Sequence, residues 1–203
     1  MKDLSLHLLD ILENSAMAGA RRVTVTLSRS GTWLHLDVTD NGPGLAPEVR
    51  ADPTDPFCTT RRERKVGLGL GLLRRAAEQT GGSVTVAEAP GGGVSVTATF
   101  DLGHIDAKPL GDLEGALLTA IAAWPDLALC VRTGDDDLPV LDTAAVQQEL
   151  PAGALAHPEV REFLRRELRA GLQPLTDWAA DLFGQAAARL AASQRSLAAS
   201  AVV

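Results

Sequence analysis

The stretch that decides the fold runs from Asp10 to Ala20 and reads DILENSAMAGA. Apolar residues recur through it, and through the turns before it, at the spacing of an amphipathic helix, so we predict a helix over residues 3–18. Asp10 and Asn14 are four residues apart and therefore share one face of this helix, with His7 a further turn back on that side. Gly19 is placed to end the helix.

Two glycine motifs follow at positions that suit a nucleotide. The first, DNGPG at residues 40–44, comes directly after a predicted strand, and the second, GLGLGL at residues 67–72, opens a predicted helix. Glycines at a helix start let backbone N–H groups approach an anion, which the helix dipole also favours. A carboxylate at a strand end, Asp40, can accept from the adenine amino group, whereas guanine would present an acceptor there. An uncharged amide oxygen such as that of Asn14 suits Mg²⁺.

The first hundred residues predict a two-layer α/β sandwich. Apolar and polar residues alternate over residues 23–27, 34–38, 84–86 and 94–100, which is typical of strands with one buried face. Helices alternate with these strands, so the expected arrangement is one sheet with helices on one side.

The second half is predicted to form a small C-terminal α/β domain that is mostly helical. A Gly- and Pro-containing stretch over residues 102–112 marks the boundary, so we divide the chain into residues 1–103 and 104–203. The second half has predicted helices at 112–123, 143–149, 158–170 and 175–197, and short strands at 127–132 and 138–141. Because so small a core is marginal alone, we expect it to dock on the first domain or on a second copy, with contacts from Leu175, Trp178, Leu182 and Leu190.

Composition excludes several classes of protein. The formal net charge of the 203 residues is −7, which disfavours a nucleic-acid binder that relies on a basic field. No apolar run approaches the length of a membrane helix, and the N-terminus lacks the pattern of a secretory signal. Cys58 and Cys130 are far apart in the sequence, as expected for a reducing compartment without a disulfide framework. We therefore expect a cytoplasmic protein that does not bind nucleic acid or membrane.

The order and spacing of the three motifs resemble one superfamily. DILENSAMAGA, DNGPGL and GLGLGL are similar to the N, G1 and G2 boxes of the GHKL ATPases, which have the Bergerat nucleotide-binding fold and include gyrase, histidine kinases and MutL. Between them, DPFCTTRRERKVGLGLGL resembles the lid of histidine kinases, which places a lid at about residues 46–65. The motifs of Rossmann and P-loop proteins are missing from the sequence. Nine residues precede Asp10, and the chain resembles stand-alone members of this superfamily that are similar to histidine kinases and MutL.

The resemblance implies a role for each matching residue. Asn14 would hold Mg²⁺, Asp40 would read adenine, and Gly42 and Gly44 would shape the base pocket. The phosphates would be bound by the G2 residues Gly67, Leu68, Gly69, Leu70 and Gly71 and by the lid residues Thr59, Thr60, Arg61 and Lys65. Where MutL-like members carry a glutamate that activates water, this chain has Asp10, a shorter side chain that can also act as a base. Ser95 stands near the place of a threonine that lies beside adenine in many members.

These expectations lead to two alternative functions. In the first, the chain binds Mg-ATP as a slow ATPase or as a protein kinase acting in trans, in a regulatory role. In the second, it is a non-catalytic ATP-sensing module that signals to a protein partner, or to a second copy, through residues 104–203. LSLHLLDILENSAMAGA and LGHIDAKPLGD also resemble ATP-binding proteins found alongside iron-only hydrogenases, which fits the second alternative.

Overall fold

The computed structural model describes residues 1–45, 68–134, 138–151 and 153–200, with side chains for all of these except residues 68 and 187–200. Helices and strands alternate through the first half, and helices dominate the second. In chain order the elements are α1 (Leu4–Met17), β1 (Arg22–Ser30), β2 (Trp33–Asp40), α2 (Leu68–Glu78), β3 (Val84–Glu88), β4 (Val94–Asp101), α3 (Leu113–Ala123), β5 (Ala128–Thr133), β6 (Leu141–Asp142), α4 (Thr143–Glu149), a 3₁₀ turn (Ala154–Ala156) and α5 (Pro158–Ser200).

The strands form one six-stranded sheet in the order β3-β4-β2-β1-β5-β6. The pairing of β1 with β5 is parallel, and the other four pairings are antiparallel. In the β1–β2 hairpin Val23 lies opposite Asp40, and Val25 lies opposite Val38. Since side chains alternate between the two faces of a strand, Asp40 is on the same face of the sheet as these valines.

That face carries the core, and the helices cover it. Buried strand residues such as Val25, Leu36 and Phe100 belong to one cluster with Leu8 of α1 and Leu73 of α2. The intervening positions of β2 and β4 are partly exposed and mostly polar. The predicted fold class, a two-layer α/β sandwich with helices on one side of the sheet, is confirmed.

Local signals account for the first helix. Asp3 has an extended backbone at the N-cap of α1, and its side chain accepts a hydrogen bond from the Leu6 amide at 3.1 Å. The helix ends before Gly19, which has a positive φ of 87°. Such a conformation favours glycine, so Gly19 stops the helix and allows the chain to turn into β1.

The second half of the chain extends the sheet of the first. Strand β5 pairs with β1 over six residue pairs, from Arg22 opposite Ala128 to Leu27 opposite Thr133. Leu117 of α3 and Leu168 of α5 are fully buried in the same core cluster as α1. Residues 104–203 therefore contribute directly to the core beneath β1. The division of the chain at residue 103 stays a prediction about which part folds independently.

One element differs from its prediction. Two helices were expected, over residues 158–170 and 175–197, but the structure has one helix from Pro158 to Ser200 with Pro174 inside it. Proline lacks the amide that would bond to the preceding turn, which is why the sequence predicts a break. The helix continues because residues on both sides of Pro174, Leu172 and Leu175, are buried against the same core.

Within the described ranges, no helix combines the length and apolar character that a membrane span requires.

Candidate functional site

The site is built around the carboxylate of Asp40, at the end of β2. Asp40 is 9% exposed and accepts three hydrogen bonds. The Ser15 hydroxyl donates to Oδ2 at 2.8 Å, while the amides of Gly42 and Val94 donate to Oδ1 at 2.8 and 3.1 Å. These contacts come from α1, from the loop after β2 and from the start of β4. They fix the carboxylate where these three segments meet.

Backbone segments approach Asp40 closely because glycines leave room. A Cβ on Gly93 would lie 1.9 Å from the carbonyl oxygen of Asp40, and one on Gly42 would lie 3.0 Å from its carboxylate Oδ1. Gly93 and Gly44 also have positive φ values, 94° and 86°, that favour glycine. Asn41 fastens the same loop to β1, because its side-chain oxygen accepts from the amides of Arg21 and Arg22 at 2.9 and 2.8 Å. Of the predicted pocket residues, Gly42 adjoins Asp40, and Gly44 lies beside Gly93, since a Cβ on Gly44 would be 3.8 Å from the Gly93 carbonyl oxygen.

A second group of residues lies where α1 meets the start of α2. The Asn14 side-chain amide donates to Asp10 Oδ2 at 3.3 Å, as the four-residue spacing suggests. Gly69 of α2 packs directly against Asp10, since a Cβ there would lie 1.7 Å from Oδ2. The first turn of a helix carries unpaired amides and the positive end of its dipole. Asp10 and Asn14 therefore stand beside a place where an anion is stabilised.

The remaining predicted residues divide into two sets. Leu68, Gly69, Leu70 and Gly71 form the first turn of α2, and Leu70 packs against the core. The predictions for Thr59, Thr60, Arg61, Lys65, Gly67 and the lid at 46–65 fall outside the described residues.

The structure also reveals contacts that the sequence did not predict. Ser15 lies within the DILENSAMAGA motif, yet nothing in the periodicity marks its hydroxyl as a partner of Asp40. The Val94 amide is a backbone donor, so its role does not depend on the side chain. Ser95, considered as a replacement for threonine, hydrogen-bonds at 3.1 Å to Thr39 of β2 instead. Thr39 and Ser95 pair on the face of the sheet opposite to Asp40, so Ser95 does not join this site.

His7 is a packed residue of α1. Its side chain is 1% exposed, and neither ring nitrogen has a hydrogen-bond partner among the described residues. The pKa of His7 is lowered from 6.5 to about 4, chiefly by burial and also by the positive charges of Lys108 and the N-terminus, against a raising effect of Asp3. The imidazole is therefore neutral near pH 7.

These residues fit an adenine nucleotide with Mg²⁺. An ionised carboxylate offers about four acceptor positions, and Asp40 uses three of them. The fourth, on Oδ2, suits the exocyclic amino group of adenine. Asn14 carries an amide oxygen of the kind that Mg²⁺ takes, together with phosphate oxygens and water, and Asp10 lies beside it.

The first half of the chain is similar to known proteins. A model of the family described as "Histidine kinase-, DNA gyrase B-, and HSP90-like ATPase" matches residues 2–104, just over half of the chain. The chain is 37% identical over 98 residues to the nitrogen regulation protein NtrY of Azorhizobium caulinodans, which covers 44% of this chain and 13% of NtrY. It is 38% identical over 69 residues to the sensor histidine kinase DcuS of Escherichia coli K12, which covers 34% of this chain and 12% of DcuS. The matched region thus spans about an eighth of these curated relatives.

Solved structures of histidine kinases are also similar. The catalytic domain of histidine kinase ThkA matches with 23% identity and a TM-score of 0.40, covering 47% of this chain and 64% of that domain. Full-length ShkA in complex with AMPPNP matches with 24% identity and a TM-score of 0.40, covering 72% of this chain and 33% of ShkA.

Proposed function

The chain belongs to the GHKL family of histidine kinase-, DNA gyrase B- and HSP90-like ATPases, which bind ATP, and on that premise we propose that it uses Mg-ATP either as a slow ATPase or as a protein kinase acting in trans. The observation that carries this proposal is the carboxylate of Asp40, buried at a strand end and fixed by three donors with one acceptor position left. We propose that it acts in the cytoplasm, with a protein partner or a second copy bound through residues 104–203.

Asp40 selects adenine by the direction of its hydrogen bond. The amino group of adenine donates to Oδ2, whereas the O6 atom of guanine would bring an acceptor against an acceptor. A hydrogen bond to a charged group contributes about 1.5–3 kcal/mol, and leaving the carboxylate against an acceptor costs a similar amount. Gly42 and Gly93 let the backbone approach Asp40 closely, where the amides of Gly42 and Val94 hold its carboxylate.

The phosphates and the metal belong at the other group of residues. The first turn of α2, from Leu68 to Gly71, directs backbone amides toward the phosphates. Asn14 would supply its amide oxygen to Mg²⁺ on the side of α1. When bound, the metal neutralises phosphate charge during transfer of the terminal phosphoryl group.

Asp10 is the proposed general base. Its carboxylate is beside the first turn of α2, at Gly69, and is oriented by the Asn14 amide. It takes the proton of the attacking water, or of a hydroxyl or imidazole acceptor on a partner protein. Because aspartate is one methylene shorter than glutamate, we expect hydrolysis by this residue to be slow.

Nucleotide selectivity tests the role of Asp40. ADP or ATP with Mg²⁺ should raise the melting temperature by mass action, and GTP should not. Asp40→Asn should weaken ATP binding by at least about 1.5 kcal/mol, because the charged acceptor is lost. Equal stabilisation by ATP and GTP would remove Asp40 from the adenine-reading role.

Phosphate release separates the catalytic proposal from its alternative. We expect slow release from ATP by the intact chain, lost in Asp10→Asn while ADP binding is retained. Glu13→Gln is the matched control, since it alters a neighbouring carboxylate of α1 outside the Asp10–Asn14 face. A chain that binds ATP with neither phosphate release nor transfer would instead be the non-catalytic ATP-sensing module. That alternative would require the nucleotide to act on α5, which contacts the β1–β2 turn where Trp178 Nε1 donates to the Gly31 carbonyl at 3.2 Å.

A further inference from the structure

We propose that Ser15 is a positioning residue of the nucleotide site, which fixes the Asp40 carboxylate so that it selects a purine with an amino group at position 6. This inference rests on the proposed function and deepens it. Ser15 acts through Asp40, without contact to the phosphates.

The contact between Ser15 and Asp40 joins two elements. The Ser15 hydroxyl, near the end of α1, donates at 2.8 Å to Oδ2 of a residue 25 positions later, at the end of β2. Both side chains are buried, at 4% and 9% exposure. A serine inside a helix commonly bonds to a carbonyl of the preceding turn, and alanine is the better helix former. Here the Ser15 hydroxyl instead donates to the Asp40 carboxylate.

The hydrogen bond from Ser15 limits the acceptor positions that Asp40 offers to a ligand. Both acceptor positions of Oδ1 are used by backbone amides, those of Gly42 and Val94. One position of Oδ2 is used by Ser15, which leaves a single position for a ligand. Without the hydroxyl, Oδ2 would have two open positions, and water would compete for both. The carboxylate would also lose its only described contact on the side of α1.

A carboxylate that is held in place and has a single open acceptor position selects ligands that donate a hydrogen bond to that position. The amino group then meets an oriented lone pair, and little ordering of the site is needed when the base binds. The effect of Ser15 should therefore be specific to ligands that donate at position 6. A serine with a purely structural role would change the affinity for all purine nucleotides alike.

The experiment compares two nucleotides on five forms of the full chain: the unaltered chain, Ser15→Ala, Ser5→Ala, Asp40→Asn and the double variant of Asp40 and Ser15. Affinities are measured by titration calorimetry for Mg-ADP and for the 5′-diphosphate of purine riboside, which lacks the amino group. Ser5→Ala is the matched control for Ser15→Ala: Ser5 is also on α1, is also 4% exposed, and donates at 2.8 Å to Asp3.

We expect Ser15→Ala to weaken ADP binding about tenfold, because the Asp40 carboxylate is then less well oriented toward the adenine amino group, and to change binding of the purine riboside nucleotide by less than about twofold. Ser5→Ala should leave both affinities unchanged. In an Asp40→Asn background, Ser15→Ala should add little, because the two residues act as a pair.

Three results would overturn the inference. They are an unchanged affinity for ADP in Ser15→Ala, an equal loss for both nucleotides, and a full additional loss in the Asp40→Asn background. Binding of the purine riboside nucleotide shows that a variant is folded, so misfolding is distinguished from lost selectivity. If the unaltered chain bound neither nucleotide, the proposed function itself would fail, which is a different result from a chain that binds ADP regardless of Ser15.

Discussion

At the scale of single residues, His7 is a neutral imidazole enclosed in the core. Its two ring nitrogens have no partner among the described residues, and its pKa is lowered from 6.5 to about 4, chiefly by burial. Between about pH 6.5 and pH 4, His7 therefore binds a proton in the unfolded chain but not in the folded chain. Above about pH 6.5 this difference in proton binding does not reduce the free energy of unfolding, and as the pH drops toward 4 it reduces it progressively.

This difference gives a measurable pH dependence. Between pH 7 and pH 5 we expect the His7 contribution to the free energy of unfolding to fall by about 2 kcal/mol. His7→Leu should remove that part of the pH dependence, and at pH 7 it should be neutral or stabilising because no hydrogen bond is lost. Urea unfolding at both pH values measures this, with His35→Gln on the other face of the sheet as the control. The same pH dependence in His7→Leu and in the unaltered chain would contradict it.

At the scale of the elements, the turn between β3 and β4 holds the backbone of the site. Gly91 and Gly93 have nearly the same positive φ, 92° and 94°. A Cβ on Gly91 would meet nothing within 4 Å, whereas one on Gly93 would collide with the backbone of Asp40. Substitution of these two glycines therefore distinguishes the cost of backbone strain from the cost of a steric clash with the site.

Two alanine substitutions test this turn. Gly91→Ala should cost about 1–2 kcal/mol of folding free energy through its backbone conformation, and ADP affinity should not change. Gly93→Ala should cost more and should also weaken ADP binding, because β4 must move away from Asp40. Urea unfolding and ADP titration measure both effects. Similar losses of stability and of ADP affinity in the two variants would show that the close approach of Gly93 to Asp40 does not contribute to nucleotide binding.

Helix α5 is fastened to the opposite end of the sheet by one aromatic residue. Trp178 Nε1 donates to the Gly31 carbonyl at 3.2 Å, and the Arg29 guanidinium lies 5.7 Å from the centre of the Trp178 ring. Arg29 also donates to the Pro174 carbonyl at 3.5 Å. This cluster joins α5 to the β1–β2 turn, away from Asp40.

Trp178→Ala should destabilise the chain while sparing the site. We expect a loss of about 2–3 kcal/mol, since the ring is only partly buried, and an ADP affinity close to that of the unaltered chain. Trp178→Phe keeps an aromatic ring and should lose about 1 kcal/mol for the hydrogen bond. A clear loss of ADP affinity in Trp178→Ala would mean that α5 and the nucleotide site are coupled, as the ATP-sensing alternative requires.

At the scale of the whole molecule, the two halves of the sequence share one core. Residues after 104 supply β5, which covers one edge of β1, and the buried leucines of α3 and α5. A fragment of residues 1–103 would expose that edge and the apolar face of α1. We expect it to be much less stable than the full chain, or to aggregate.

Truncation after residue 186 provides the control. It keeps the α5 residues that are buried among the described side chains, the last of which is Ala179, and the partly buried Phe183 that packs on them. We expect this fragment to unfold at nearly the same urea concentration as the full chain. A fragment of residues 1–103 that is monomeric and as stable as the full chain would contradict the shared core and support an autonomous first domain.

The sequence predicts those parts of the fold whose signals are local. The helical spacing and Gly19 predict a helix over 3–18, and α1 runs from Leu4 to Met17. Alternation predicts the buried face of each strand, but it does not identify neighbouring strands. The parallel pairing of β1 with β5 therefore did not follow from the sequence.

The same distinction holds within the site. Asp10, Asn14 and Asp40 were found because their positions belong to recognisable motifs and spacings. The Ser15 hydroxyl and the Val94 amide became visible only when α1, β2 and β4 met in space. A hydroxyl on the buried side of a helix has no periodic signal, and a backbone donor has no residue type to reveal it.

The parallel pairing of β1 has a consequence for synthesis of the chain on the ribosome. Val25 pairs with Val131, about 100 residues later, so one edge of β1 stays uncovered until that segment has emerged. At roughly 5–20 residues per second, this interval lasts roughly 5–20 s. During it the nascent β1–β2 hairpin presents unpaired amides and carbonyls beside apolar side chains, a surface that binds other strands. Codon changes that slow translation between residues 40 and 128 should therefore increase chaperone association and aggregation without altering the mature protein.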